Sequence, residues 1–414
     1  MSLPTELSDY VERPDNAYRY TILAEEQLGR GILYDLELIS QMWQGIPWRH
    51  RLQVFVPEEA TVADIALLTI GADFGNPDYH RGVGDLYTEA TGLICAFLFD
   101  VPNQPLFEGK VEDEIIAYTL AQCLDTGDMD WPLLLPMTRS AVRAMDAVQA
   151  LLHEKGRFAP QRFVVSGMSK RGWTTWLAAV ADSRVAGIIP MVYDNLNLFA
   201  QMPHQHEVWT EYSEQISDYT QYDLQARMQT PEGHCLAQII DPYTYRDNLT
   251  LPKLIMNGAN DRYWATDALN LYWDGLSGPK HVLYIPNSGH SLNDPQRVWS
   301  AALAFVHAVA AGTSLPSLEW EFQETVSELQ VIVQMETPAS AARLWLAFSE
   351  TLDFRTCVWE SIPLALTSEG CTAAIPLPQS GCLAVFGEIE FTPPDASTYA
   401  LSTQMRIVDR RATP

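Results

Sequence analysis

Phe163-Val164-Val165-Ser166-Gly167-Met168-Ser169-Lys170-Arg171-Gly172-Trp173-Thr174 is the stretch that decides the fold. A short apolar run ends at Ser166, the spacing Gly167-x-Ser169-x-x-Gly172 follows, and an apolar helix is predicted over residues 173–180. Strand, serine-bearing turn and helix are the parts of a nucleophile elbow. Small neighbours there allow a strained turn to lift the hydroxyl above a sheet. The helix start behind the serine directs backbone N–H groups and a positive dipole end at a developing oxyanion. The glycine usually found two places after the serine is Arg171 here, and Gly172 stands one later.

The runs on either side set the architecture. Residues 65–70, 92–99, 162–166, 187–192, 253–257 and 281–285 are short and almost continuously apolar, and helical patterns fall near 83–91, 112–123 and 136–153. Buried strands alternating with helices predict an α/β fold, a mostly parallel sheet covered on both faces. Before them, residues 36–43 and 48–57 alternate around Gly45-Ile46-Pro47 and read as an antiparallel hairpin. Residues 199–250 carry no buried-strand signal and read as a mostly helical insertion, a possible lid. Beyond residue 317 the apolar residues recur with period two between Pro, Ser and Gly turns, which predicts a small C-terminal all-β, sandwich-like domain. The expected division is an α/β domain over 1–316, with the insertion inside it, and a β domain over 317–414.

Chain order extends the argument to chemistry. The strand at 253–257 runs into Asn257-Gly258-Ala259-Asn260-Asp261, and the strand at 281–285 runs into Pro286-Asn287-Ser288-Gly289-His290. A capping aspartate or a loop histidine is commonplace alone. Serine, acid and histidine in that order, each after a strand, match the order of a hydrolase triad. Ser169 is the candidate nucleophile, His290 its base, and Asp261 the group that orients the imidazole. The backbone N–H of Lys170 is a candidate oxyanion donor. A second donor is sought in the loop after the 65–70 strand, at Gly71 or Ala72.

Within the insertion, Trp209, Tyr212, Glu214 and Tyr243 are candidate substrate contacts, with Glu214 part of an acidic wall for a substrate amine. His204-x-His206 has no third ligand at metal spacing, so no metal and no cofactor is expected.

Composition bounds the partners. The 414 residues are 47% hydrophobic and 19% charged, enough to bury a sizeable core. Lys+Arg 26 against Asp+Glu 52 gives −26, a charge that repels phosphate backbones and argues against nucleic acid. The same charge attracts cations, so a cationic peptide is a second substrate class beside a small-molecule ester or amide. No apolar run is long enough to span a membrane. The first residues carry no basic and apolar leader pattern, which reads as cytoplasmic. The six scattered cysteines are read as buried free thiols.

The sequence resembles the PhoPQ-activated pathogenicity-related proteins, a branch of the α/β-hydrolase superfamily, over residues 8–312. The likeness rests on Tyr10-Val11-x-Arg13-Pro14-Asp15, Ile115-Ile116-Ala117-Tyr118-Thr119, Leu135-Pro136-Met137 and Ala141-Val142-Arg143-Ala144-Met145-Asp146-Ala147-Val148. Further on it rests on Ser169-Lys170-Arg171-Gly172-Trp173-Thr174-Thr175-Trp176-Leu177, Tyr212-Ser213-Glu214-Gln215-Ile216-x-Asp218-Tyr219-Thr220, Asp241-Pro242-Tyr243-x-Tyr245-Arg246 and Leu249-Thr250-Leu251-Pro252-Lys253. The resemblance implies an α/β-hydrolase core with Ser169, Asp261 and His290 as triad, and a bacterial, virulence-related role. Members are often exported, which is the alternative location. The Ser-Lys-Arg-Gly elbow is also similar to the Ser-Arg-x-Gly elbow of glucuronoyl esterases, which implies an ester substrate. The leading expectation is a serine hydrolase forming an acyl-enzyme. The competing one is a non-catalytic acidic protein that sequesters cationic peptides.

Overall fold

The computed structural model describes residues 3–58, 62, 64–394 and 397–411, with only the backbone of 77–79. They form two compact units: residues up to Tyr193 with Ile216–Pro252, and Asp194–Gln215 with the residues from Lys253 on. The expected boundary at residue 316 does not coincide with this division.

The first unit opens with α1 (Glu6–Glu12), β1 (Arg19–Leu28), β2 (Gly31–Trp43) and β3 (Ile46–Pro57). The β2–β3 turn is the two residues Gln44 and Gly45, with φ of 49° and 74°. Positive φ at both central positions is what a tight hairpin turn needs, and Gly45 supplies it without strain. There follow β4 (Ile65–Ile70), α2 (Pro77–Thr91), β5 (Ile94–Leu98), α3 (Glu112–Thr126), α4 (Leu134–Glu154), β6 (Arg162–Met168), α5 (Lys170–Ala181) and β7 (Val185–Met191). The strand order is β1-β2-β3-β5-β4-β6-β7. β5, β4, β6 and β7 run parallel, whereas β1, β2, β3 and β5 pair antiparallel.

The sheet is therefore mixed, not mostly parallel as expected. The long hairpin joins the parallel strands through β3–β5, and α4 packs on β2, which is buried along most of its length. The four parallel strands are almost wholly buried, as their continuous apolar runs require.

The second unit begins with α6 (Leu198–Trp209). The chain returns to the first unit for α7 (Ser217–Thr220), α8 (Leu224–Arg227) and α9 (Pro231–Ile240), so residues 199–250 are helices and turns without a strand. It then enters β8 (Lys253–Gly258), β9 (Lys280–Ile285) and α10 (Pro295–Ala310) of the second unit. The remaining strands are β10 (Leu318–Glu324), β11 (Glu328–Met335), β12 (Ala341–Ser349), β13 (Glu360–Pro363), β14 (Gly370–Pro376), β15 (Cys382–Phe391), β16 (Tyr399–Ser402) and β17 (Arg406–Asp409).

The separate sandwich-like domain expected beyond 317 is not confirmed, because most of these strands continue a sheet that begins with β8 and β9. β8 and β9 are parallel, β16 pairs with β9, and β15, β12 and β13 continue outward from β16, with β17 also on β15. β10, β11 and β14 form a separate sheet. β15 is buried along nearly its whole length despite its alternating sequence. Glu388, the acid that made one face look wet, is fully buried and paired with Arg297 of α10 and with Arg343 of β12.

Cys95, Cys123, Cys371 and Cys382 are buried free thiols, Cys357 is half-buried, and Cys235 is exposed. Among the described residues no helix is long and apolar enough to cross a membrane.

Candidate active site

In the first unit, the turn between β6 and α5 has the geometry the sequence predicted. Ser169 precedes the first residue of α5 with φ 57° and ψ −126°, a region that costs a non-glycine residue about 1–3 kcal/mol. Hydrogen bonds on both sides hold it there: its N–H donates to the Met191 carbonyl of β7 at 2.8 Å, and its carbonyl accepts from the Trp173 N–H at 3.0 Å. A Cβ on Gly167 would lie 2.5 Å from the Arg171 carbonyl oxygen, and one on Gly172 would lie 2.9 Å from that of Met191. The displaced second glycine is thus explained, because Gly172 is where the helix passes β7.

Arg171 and Lys170 occupy the places beside the serine and are nearly buried, with 7% and 6% of their side chains exposed. One carboxylate receives both. Glu112, the first residue of α3, lies 2.6–2.7 Å from two Arg171 nitrogens and 2.7 Å from Lys170 Nζ. Lys170 Nζ also lies 3.1 Å from Asp113, whose other oxygen accepts from the Tyr219 hydroxyl at 2.9 Å. Burial alone would push the Glu112 carboxyl up. The hydrogen bond and charge of Arg171, with Lys170, outweigh it and hold that carboxyl well below the usual range. The Lys170 side chain is thereby turned into an ion pair, while its N–H, at the first position of α5, has no partner within the helix.

The expected second oxyanion donor needs a correction. The Gly71 N–H donates to the Leu98 carbonyl at 2.7 Å, continuing the β4–β5 ladder, so it has no proton to offer a ligand. Ala72 accepts from the Asp100 N–H through its carbonyl.

In the second unit the predicted acid and base meet. Asp261 follows β8 and His290 follows β9, and His290 Nδ1 lies 2.8 Å from Asp261 Oδ2. The other carboxylate oxygen accepts from the Tyr263 N–H at 2.9 Å. Asp261 is 6% exposed, so the pair sits where its charge interaction is poorly screened. The Tyr263 ring stacks on the imidazole at 4.1 Å. His290 Nε2, on the far side of the ring, is buried and takes no hydrogen bond among the described residues. The two loops run in contact: the Asn260 N–H donates to the Ser288 carbonyl, and a Cβ on Gly258 would lie 2.3 Å from the Gly289 carbonyl oxygen.

Sequence reasoning missed Asp194, a fully buried carboxylic acid three residues after β7. It accepts from the Tyr272 hydroxyl at 2.5 Å. Burial first, then the charges of Asp261 and Asp267, push it up to about 7 against the opposing Tyr272 hydrogen bond. An acid at a strand end was its only sequence signal.

The proposed substrate contacts divide between the two units, Tyr243 in the first and Trp209, Tyr212 and Glu214 in the second. Tyr243 lies in the first unit beneath the Arg246 guanidinium, 4.5 Å from its ring. The Trp209 ring is covered by Arg355 at 4.2 Å, and Tyr212 meets the edge of His206. Glu214 is already paired, with Arg262 at 2.5 Å and Arg355 at 3.2 Å, so it is not an open carboxylate awaiting an amine. His204 pairs with Asp267 at 2.7 Å, while the His206 ring meets Tyr212.

A family model described as PhoPQ-activated pathogenicity-related protein matches residues 7–355. The Dictyostelium discoideum protein named Autocrine proliferation repressor protein A is 30% identical over 425 residues, covering 94% of this chain and 86% of that one. An acetyl xylan esterase from Paenibacillus sp. R4 matches with a TM-score of 0.50 at 15% identity, over 74% of this chain and 96% of that chain, a likeness of fold. The fold is that of the α/β-hydrolases, and with a match running from residue 7 to residue 355 the chain belongs to the PhoPQ-activated pathogenicity-related protein family.

Proposed function

We propose that the protein is a serine hydrolase that cleaves an ester by acyl transfer, with Ser169, His290 and Asp261 acting as one unit. The observation that carries this reading is the backbone of Ser169, held at φ 57° and ψ −126° between β6 and α5. A serine with only a structural role gains nothing from that conformation, which is costly unless the surrounding chain enforces it.

In the first half-reaction His290 Nε2 takes the Ser169 proton as Oγ bonds to the substrate carbonyl carbon. Asp261 holds the Nδ1 proton and stabilises the imidazolium. The carbonyl oxygen, now anionic, is met by the Lys170 N–H and the dipole of α5, with the Ala72 N–H as second donor. Collapse breaks the bond to the leaving alkoxide, which leaves as alcohol with the proton from His290. Water repeats the sequence on the acyl-enzyme and frees the acid. The acetyl xylan esterase of like fold makes acetyl esters the first substrates to try.

The test is active-site labelling with a fluorophosphonate probe, alongside hydrolysis of p-nitrophenyl acetate. One label per chain, lost in Ser169→Ala, is expected. Turnover retained in Ser169→Ala removes the mechanism.

A further inference from the structure

The loops that carry Asp261 and His290 are both fastened to one segment far along the chain, residues 354–359, between β12 and β13. Asn260, next to the acid, donates through Nδ2 to the Phe354 carbonyl at 3.0 Å and to the Cys357 carbonyl at 2.8 Å. Asn287, three residues before the histidine, makes a two-way bond with Trp359. Its Nδ2 donates to the Trp359 carbonyl at 2.9 Å, and its Oδ1 accepts from the Trp359 N–H at 2.8 Å. The amide there acts as a length of strand would, and its φ of 55° is one asparagine tolerates.

The segment is itself anchored. Phe354 and Trp359 are 0% and 2% exposed, and the Trp359 ring lies 5.3 Å from Phe386 in β15. Arg355, between them, covers the Trp209 ring and reaches Glu214, whose other oxygen holds Arg262, the neighbour of Asp261. The acid loop is thus gripped on both sides of Asp261, and the histidine loop on one. A catalytic pair must hold its geometry closely, since a displacement of about 1 Å costs roughly a hundredfold in rate.

We infer that residues 354–359 are a positioning element of the Asp261–His290 pair, acting through Asn260 and Asn287. This rests on the reading of that pair as catalytic. The element lies between two strands of the region expected to form a separate β domain, so on this reading that region is part of the working centre.

Two variants remove the grip without touching the pair. Asn260→Asp replaces the donor with an acceptor facing two carbonyls, and Asn287→Ala removes both bonds to Trp359. The full-length chain of each is assayed with p-nitrophenyl acetate after a melting curve establishes that it is folded. The expected result is a fall of about tenfold to a hundredfold in kcat with KM within about twofold.

A second readout needs no turnover: the far-downfield proton resonance of the Nδ1–H between His290 and Asp261, assigned by its loss in His290→Ala. It should be sharp in the wild type and broadened or lost in both variants. Folded variants with unchanged kcat and resonance overturn the inference, as does activity that falls only with the folded fraction. A wild type unreactive to fluorophosphonate but with a resonance sensitive to both variants would remove the hydrolase reading and leave the positioning role standing. If Asn260→Asp does not fold, Asn287→Ala decides.

Discussion

Glu112→Gln tests how the elbow tolerates two cations beside its serine. The change keeps the shape and removes the charge that Lys170 and Arg171 share. The new amide retains one acceptor where there were two, and turns an N–H₂ group toward guanidinium or ammonium. Breaking a fully buried ion pair by removing one partner costs about 3–5 kcal/mol. Both cations are nearly buried, but Glu112 keeps 38% of its side chain open, so screening lowers the expectation to about 2–3 kcal/mol.

The pH dependence follows from the direction of the shift. Glu112 is held below its unfolded value of about 4.3, so its contribution is complete above that pH and is lost as pH falls through the folded value. Urea unfolding of both proteins from pH 8 to pH 3 is the assay. The gap should be constant from pH 8 to about 5.5 and begin to close below about 4.3. A gap under about 0.5 kcal/mol at pH 7, or one that widens on acidification, refutes the reasoning.

Ser169→Ala and His290→Ala should each lower turnover by about 10⁴ to 10⁶, and the double variant should be little worse than either. Additive losses would show that the two act separately. Asp261→Asn should cost roughly 10⁴, read as kcat on p-nitrophenyl acetate. Asp194 has a folded pKa raised to about 7, so the native state holds its proton where the unfolded chain has lost it, and stability falls as pH rises from about 4 to 7. Asp194→Asn should flatten that fall in urea unfolding, and an unchanged slope would place the ionisation elsewhere. A chain ending at residue 315 loses β16 and the grip of residues 354–359, and should give no soluble, fluorophosphonate-reactive protein.

The elbow, Asp261 and His290 were legible because each sits at the end of an apolar strand, and strand ends are local features. The hairpin was legible for the same reason, and the alternation of 36–43 and 48–57 around a turn needs no tertiary information. The antiparallel joint of β3 to β5 was not legible, since pairing order leaves no mark on either strand. Nor were the bonds from Asn260 to Phe354 and Cys357, 94 and 97 residues away. Glu214 and Glu388 show the limit most plainly. A glutamate in sequence looks like a free charge, and only the fold reveals the arginines that hold it. Gly71 was misassigned because its loop composition is right for a donor while its N–H belongs to the sheet.

The pairing of β9 with β16 sets a schedule for synthesis. β9 ends at Ile285 and β16 begins at Tyr399, so 399 − 285 = 114 residues of chain must follow before the strand can find its neighbour. At about 5–20 residues per second that is roughly 6–23 seconds. Throughout that interval His281-Val282-Leu283-Tyr284-Ile285, buried in the finished protein, presents an open edge to whatever is nearby. A nascent chain in that condition invites strand addition by another copy, so yield in the cell should depend on ribosome-associated chaperones and improve when translation of the last hundred codons is fast.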